Sequence, residues 1–514
     1  MEVEPGVIVL GLVLDTLSGR SPLYHLEQSF EDCDRQVLFG EDLPASYFCD
    51  DNVGRVLDRL FETGTQKIFS AVSVSALQNF QLSTEHVHFD TTSVRVYGDY
   101  RNAGTEQAPF QITHGYSKDK RPDLKQFVLS MLCVGADVPI FGRIEDGNAS
   151  DKTVNHRLLS EISGYLSTHG IEEEAFIYVA DSALVTEANL EQMGERIRFI
   201  TRLPATYKEC ERVILEAVDA SHWQEIGRMA ETAPTKNRPG ASYRVHEGAV
   251  CLYGKPYRAV VVHSSAHDQR RQKRLQRRVT ASLEAIQKLA KSAQKHRYAC
   301  RADAEKAANE TIAQHSAYHQ LDVRIQEYPR YPRGRPKNNA PRTPIALEYG
   351  LKIEIIEDRE ALERARKAAG CFVLLSNVAA QNDGGYSAEK ILRTYKEQSA
   401  IEKNYGFLKD DQIVNALFLK RPERIEALGL ILLISLLIWR LIEHTMRRDL
   451  AERKTTLPGW DDKPTNRPTT YMLTWKFKGI LVLCIGQERR LAKPLSAAQK
   501  AFLNALHVSP QCFI

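Results

Sequence analysis

Apolar and polar positions recur along this chain with two different periods, and the change of period divides it. Up to about residue 80 the apolar residues fall at helical spacing. Asp50-Asp51 leads into NVGRVLDRLFETG, where Val53, Val56, Leu57 and Leu60 share one face and Gly64 is a natural stop. This pattern predicts a helical domain over 1–80, which would either read a nucleic-acid end or serve as packing. At Val87 the period drops to two. VHFDTTSVRVYGD places Val87 and Phe89 on one side and His88 and Asp90 on the other. Phe127–Val134 and Pro139–Arg143 read as two further strands, so the three runs predict an antiparallel meander.

A helix within 147–166, capped by Ser150 or Asp151, is expected to cover that sheet. The apolar run 176–180 predicts an interior strand that ends on Asp181, and 197–202 predicts its successor. From 203 to 370 the pattern is interrupted by an insertion. A β pair turns at Gly254-Lys255-Pro256, a long helical run follows from Asp268 to about Gln314, and Tyr328–Pro344 reads as a basic, proline-rich linker. CFVLLSNV, from Cys371, is expected to return the chain to the core sheet. The stretch 387–409 then reads as one helix. The apolar run Ala427–Trp439 is too short to span a bilayer and is flanked by Arg and Glu, so it reads as a buried core helix. The fold class expected is α/β, in five regions: 1–80, 81–202, 203–370, 371–450 and 451–514. The last carries no catalytic signature.

Composition changes this picture little. Of 514 residues, 43% are hydrophobic and 26% charged, as in ordinary globular proteins, and a net charge of +4 makes no case for nucleic acid by itself. Local clusters make that case. His114–Gln126 carries Lys118, Lys120, Arg121 and Lys125 and is either a solvated hairpin loop or a loop facing DNA. From Arg270 to Arg301 the sequence is strongly basic, Arg274 and Arg277 included, with Glu284 its single acid. That excess favours phosphate contact over a merely solvated face. The nine cysteines are scattered singly, without a CxxC, which argues against a structural zinc site and fits a reducing, cytoplasmic compartment. The acidic start is not a secretory signal. His86, His88 and His114 read as structural or loop residues.

The helix over 387–409 concentrates the candidate chemistry. At about 100° per residue, Tyr395, Gln398, Glu402 and Lys409 fall within an arc of roughly 60°, beside the apolar stripe Ile401, Tyr405, Leu408. Two acids at strand positions join them, Asp90 and Asp181. Each has a plainer reading. Asp90 suits a strand-end turn and has Asp99 as a rival, and Asp181 heads a fair N-cap sequence, D-S-A-L. Carboxylate oxygens suit hard ions such as Mg²⁺ or Mn²⁺, and a pair of these about 4 Å apart can activate a nucleophile and stabilise the leaving oxygen of a phosphodiester.

Tyr395-x2-Gln398-x3-Glu402-x6-Lys409 resembles the Tyr-x2-Arg-x3-Glu-x6-Lys signature of DDE-class insertion-sequence transposases, with Gln398 in place of the Arg. FDTTS around Asp90, HGYSKDKRPDLKQ, GNASD and VADSALVT around Asp181 occur in that family's order, and the resemblance covers most of 1–480. It looks closest to the group with a β-rich insertion before the glutamate. The resemblance implies a ribonuclease H-like catalytic core and a two-metal Mg²⁺ (or Mn²⁺) site on Asp90, Asp181 and Glu402. It also implies that Tyr395, Gln398 and Lys409 contact DNA. The implied activity is strand cleavage and transfer at terminal inverted repeats, with target DNA as second partner, a homodimer on paired ends and no membrane. A transposase-derived DNA-binding protein that no longer catalyses is the alternative.

Overall fold

The computed structural model describes residues 4–18, 21–98, 100, 108–117, 121–172, 175–230, 240–314, 318–331, 333, 343–409, 419–486 and 488–513. Lys118, Lys120, Asp99 and much of the proline-rich linker lie outside them. The chain forms two compact units: Met1–Arg202 with Ser376–Val378 and Arg393–Ile514, and Leu203–Leu375 with Ala379–Leu392.

The first unit opens with helices α1 (Pro5–Ser18), α2 (Leu26–Glu31), α3 (Arg35–Phe39), α4 (Asp50–Thr63) and α5 (Thr65–Phe80). Gly64, at φ 95°, makes the sharp break between the last two. Then come β1 (His86–Val96), β2 (Lys125–Val134) and β3 (Val138–Glu145), an antiparallel meander as the alternation predicts. Helix α6 (Asp151–Thr168) follows; Ser150, not Asp151, caps it, accepting from the Thr153 amide at 3.2 Å. Strand β4 (Ile177–Ala180), helix α7 (Glu187–Met193) and β5 (Arg198–Arg202) complete this half. The strand order is β3-β2-β1-β4-β5, with β1, β4 and β5 parallel, so the sheet is mixed. Strand β1 is buried on both faces rather than alternating. Elements packed on both faces of the sheet leave it no solvated side. The Ser376 hydroxyl donates to Phe199 O at 2.6 Å, and the Asn377 amide bridges to Ile197 O at 3.0 Å.

The second unit contains α8 (Lys208–Ala220), the meander β6 (Gln224–Arg228), β7 (Ser242–Leu252) and β8 (Lys255–Ser264), then α9 (Ser265–Lys295). The β7–β8 turn is Tyr253-Gly254, both at positive φ (52° and 76°), and Pro256 pairs with Cys251 inside the hairpin rather than forming the turn. The long helical run is also interrupted. After α9 the chain makes the short strand β9 (Arg297–Tyr298), then α10 (Arg301–Ile312). The break is held by pairing of β9 with β11 (Ala346–Glu357), itself paired to β10 (His319–Arg330). Helix α11 (Arg359–Ala368) and β12 (Cys371–Ser376) lead out.

Helices α12 (Ala388–Glu397), α13 (Ser399–Leu408), α14 (Pro422–Arg453), α15 (Thr470–Phe477) and α16 (Ala497–Ala505) follow. The apolar run Ala427–Trp439 lies within α14, whose 32 residues would by length and composition cross a membrane, yet 61% of its most apolar stretch is buried inside the protein. It packs on α1, α4, α5 and β3. Two glycines allow the approach: a Cβ on Gly142 of β3 would run into Leu433, and one on Gly429 would lie 3.0 Å from Ile144. Gly142→Ala is therefore expected to destabilise the protein by roughly 1–3 kcal/mol, seen as a lower denaturation midpoint at unchanged slope.

Arg424 of α14 forks onto Asp58 of α4 at 2.8 and 2.7 Å, with Arg421 at 3.4 Å. The Arg424 hydrogen bonds, against the opposing effect of burial, hold the Asp58 carboxyl below its ordinary value. A depressed carboxyl contributes stability above its unfolded pKa, about 3.9, and loses it as pH falls through the folded value. Arg424→Met should cost about 1 kcal/mol at pH 7. Urea titrations should show that gap closing as the pH drops below the unfolded value.

Candidate metal and nucleic-acid site

Asp90 and Asp181 are brought together by strand register. His86, Val87 and His88 of β1 stand opposite Ile177, Tyr178 and Val179 of β4 in parallel. Continued two residues further, that register leads to Asp90 on β1 and to Asp181 just past the end of β4. Both residues line one cavity. The Thr91 amide donates to Asp90 Oδ1 at 2.8 Å, and the Ala183 amide donates to Asp181 Oδ1 at 3.0 Å. Asp181 is thus the N-cap of the short 3₁₀ turn Ser182–Leu184 and also faces the cavity described next.

That cavity, about 570 Å³, is lined by Asp90, Asp181, Tyr395, Gln398, Glu402 and Lys409, together with Thr91, Thr92, Lys396, Ser399, Tyr405 and Gly406. The segment expected as one helix is two, α12 and α13. Gln398 keeps helical angles (φ −55°, ψ −25°), but the amides of Gln398 and Ile401 reach back only three residues, to Tyr395 O and Gln398 O. The interruption leaves the polar face on the same cavity. The Gln398 side-chain amide donates to Phe89 O at 3.1 Å and the Tyr405 hydroxyl to Asp90 O at 2.5 Å, so the break and the helix after it are both tied to β1. Ile401, Tyr405 and Leu408 are buried beside it, whereas Glu402 is exposed.

The electrostatics report the same convergence. Burial pushes the Tyr395 phenol up to about 12; Arg202 opposes this, while Asp181, Asp90 and Glu402 all add to it. Tyr178, beneath the sheet ends, is raised by burial and then by Asp181 and Asp90. Both phenols remain protonated donors at neutral pH.

The other candidates lie elsewhere. Arg121 does not line the cavity; its guanidinium forks onto Asp123 at 2.8 and 2.7 Å. Arg274 and Arg277 are exposed on α9 in the second unit, where Arg277 borders a shallow groove with Lys273 and Glu284. Lys118 and Lys120 lie outside the described residues.

Residues 1–74 match the family model of a domain of unknown function, DUF4277. That span covers α1 to α4 and most of α5. No curated protein matches the chain. A similar solved structure is the Mos1 transposase paired-end complex with left transposon end, at 13% identity and a TM-score of 0.17, over 38% of this chain and 60% of that one. The likeness spans less than two thirds of that transposase chain, and at this score it carries no inference.

Sequence spacing missed the side chains that hold α13 in place. Asn404 donates to Asp137 O at 2.9 Å and accepts from Arg440 Nε at 2.6 Å. Arg440 also meets Glu443 at 2.7 Å, which in turn takes Arg447 at 2.9 Å and the Thr470 amide at 3.2 Å. Asn404, Arg440 and Glu443 are all buried. Polar residues inside an otherwise apolar helix were the available signal.

Proposed function

We propose that this protein is a DDE-class transposase with a ribonuclease H-like core, cutting and joining DNA strands at the inverted-repeat ends of an insertion sequence. One observation carries the reading: Asp90 on β1 and Asp181, just past the end of the adjoining parallel strand β4, share a cavity with Glu402, with Tyr395, Gln398 and Lys409 at the family spacing beside them. The donor set fits a hard divalent ion, Mg²⁺ or Mn²⁺. The cavity's described lining offers three carboxylates and neither thiol nor imidazole, and their combined negative field reaches Tyr395. Asp90, Asp181 and Glu402 would hold the metal, which when bound supplies Lewis-acid activation of a water or 3′-hydroxyl and neutralises the departing oxygen.

The chain's own groups do the rest. The Thr91 amide and the Tyr405 hydroxyl fix the Asp90 carboxylate and its backbone. The protonated Tyr395 phenol donates to a phosphate oxygen, and Lys409 supplies positive charge at the far end of the same face. Gln398, its amide engaged with Phe89 O, braces β1 and gives up the bidentate phosphate contact an Arg would make. Arg121, Arg274 and Arg277, with Lys118 and Lys120, are assigned to phosphate contacts with end and target DNA. The protein would work as a homodimer on paired ends, on nucleoid DNA in the cytoplasm.

The decisive experiment mixes purified protein, Mg²⁺ and a plasmid carrying the element's own terminal repeats. Nicks at the repeat boundaries and joined products are expected. Salt-sensitive binding to the ends without cleavage would favour the second reading, a non-catalytic DNA-binding derivative, which the diverted Gln398 amide motivates. Cutting that ignores the ends would reduce the protein to a general nuclease.

A further inference from the structure

A second cluster lies outside the cavity just described. His86 and His88, two residues apart on β1, project to the same side, and Glu397 at the end of α12 meets both. His86 Nδ1 is 3.4 Å and His88 Nε2 3.8 Å from Glu397 Oε2, and one ligand atom from each of the three lies within 4.8 Å of the other two. All three line a separate cavity of about 510 Å³, with Asp137 and Ser83 on its wall.

We propose that His86, His88 and Glu397 bind a divalent transition-metal ion of the zinc class. Ligands at about 2.0–2.2 Å from such an ion sit roughly 3–4 Å apart, so the cluster needs about 1–2 Å of side-chain closure at most. The second ring nitrogen of His86 stands 3.9 Å from Glu85, whose carboxylate would close to a hydrogen bond to give the support that metal-bound histidines use. His88 is 7% exposed, and its Nδ1 is buried without a hydrogen-bond partner, so the ring is fixed by packing rather than by a polar tether. The adjoining cavity leaves room for a water or Asp137 as a further ligand. His444, Arg447, Arg448 and Arg467 also line the cavity; Arg447 is engaged with Glu443 at 2.9 Å and Arg448 with Glu452 at 3.9 Å. Two imidazoles and one carboxylate prefer borderline ions, unlike the carboxylate cavity next to them. A metal here would staple β1 to the residue immediately before Gln398, the point where the segment carrying Glu402 begins. The site uses no sulfur, so the scattered cysteines do not bear on it.

The proposal stands independently of the transposase reading, and its test reads metal, not DNA. Full-length, metal-stripped protein is titrated with Co²⁺, followed by its visible ligand-field bands, and then with Zn²⁺ in competition. Wild type should take up one tightly held Co²⁺ per chain that Zn²⁺ displaces, apart from weaker uptake at the carboxylate cavity. His86→Gln and Glu397→Gln should each weaken binding about a hundredfold or more, and Glu85→Gln about tenfold. Glu402→Gln should leave the tight, Zn²⁺-displaceable step unchanged and alter only the weaker uptake. Absence of Co²⁺ bands in wild type overturns the proposal. So does wild-type affinity in Glu397→Gln, whose half-exposed side chain makes misfolding an inadequate excuse. Equal loss in Glu402→Gln would move the ion to the carboxylate cavity.

Discussion

Asp90→Asn is expected to lower Mg²⁺-dependent cleavage of terminal-repeat DNA by about a thousandfold or more, while binding to the same DNA changes little. The substitution is nearly isosteric. Its amide can keep an oxygen on the Thr91 N–H, and the Tyr405 bond is to the backbone of residue 90 and survives. What is lost is a full negative charge in the cavity that Asp181 and Glu402 also line. Several kcal/mol of metal-dependent stabilisation correspond to that factor at 1.36 kcal/mol per decade. Glu402→Gln should fall in the same range, and its exposed position makes it the cleaner variant for folding. Gel assays of nicking and a parallel filter-binding titration separate the two effects. Cleavage by Asp90→Asn within tenfold of wild type would remove this aspartate, and with it the proposed reaction.

Arg440→Leu is expected to cost about 3 kcal/mol of stability, the low end for breaking a buried ion pair, because Glu443 keeps Arg447 and the Thr470 amide. Arg440 and Glu443 have side chains 9% and 3% exposed, so solvent cannot take over the lost contacts. Asn404 Oδ1 would lose its donor, and Asn404 stands two residues after Glu402 on α13. The variant should therefore melt well below wild type, and its remaining folded fraction should cleave poorly because α13 is no longer pinned to α14. Arg440→Leu with Asn404→Leu should cost less than the sum of the two single changes, because they belong to one network. Thermal melts of the three variants decide this; an Arg440→Leu midpoint within a degree or two of wild type would mean the pair contributes nothing.

Local pattern carried far in this chain. Alternation from Val87 marks β1, the unbroken apolar stretch before Asp181 marks β4, and helical spacing marks α4 with its stop at Gly64. These signals are legible because each depends on neighbours within a few residues. The misses have a common origin in contacts made far along the chain. The helix over 387–409 divides at Gln398, where the amide reaches Phe89 O, more than three hundred residues earlier. The basic helical run divides where β9 pairs with β11. Ser150 caps α6 while Asp151 accepts the Thr91 hydroxyl at 2.5 Å, a choice between two adequate caps that only the neighbouring strand settles.

The sequence alone determined which residues had to be considered: three acids in order and a Tyr, Gln, Glu and Lys at helical spacing, because side-chain direction within a helix or strand follows from backbone period. Only the tertiary structure decided that they line one cavity, since the register of β1 against β4 and the seating of α13 on α14 are set by long-range pairing and burial. It also decided that two histidines that read as structural residues face a glutamate from a distant helix. No local pattern encodes that meeting, because it depends on where separate parts of the chain come to rest against each other.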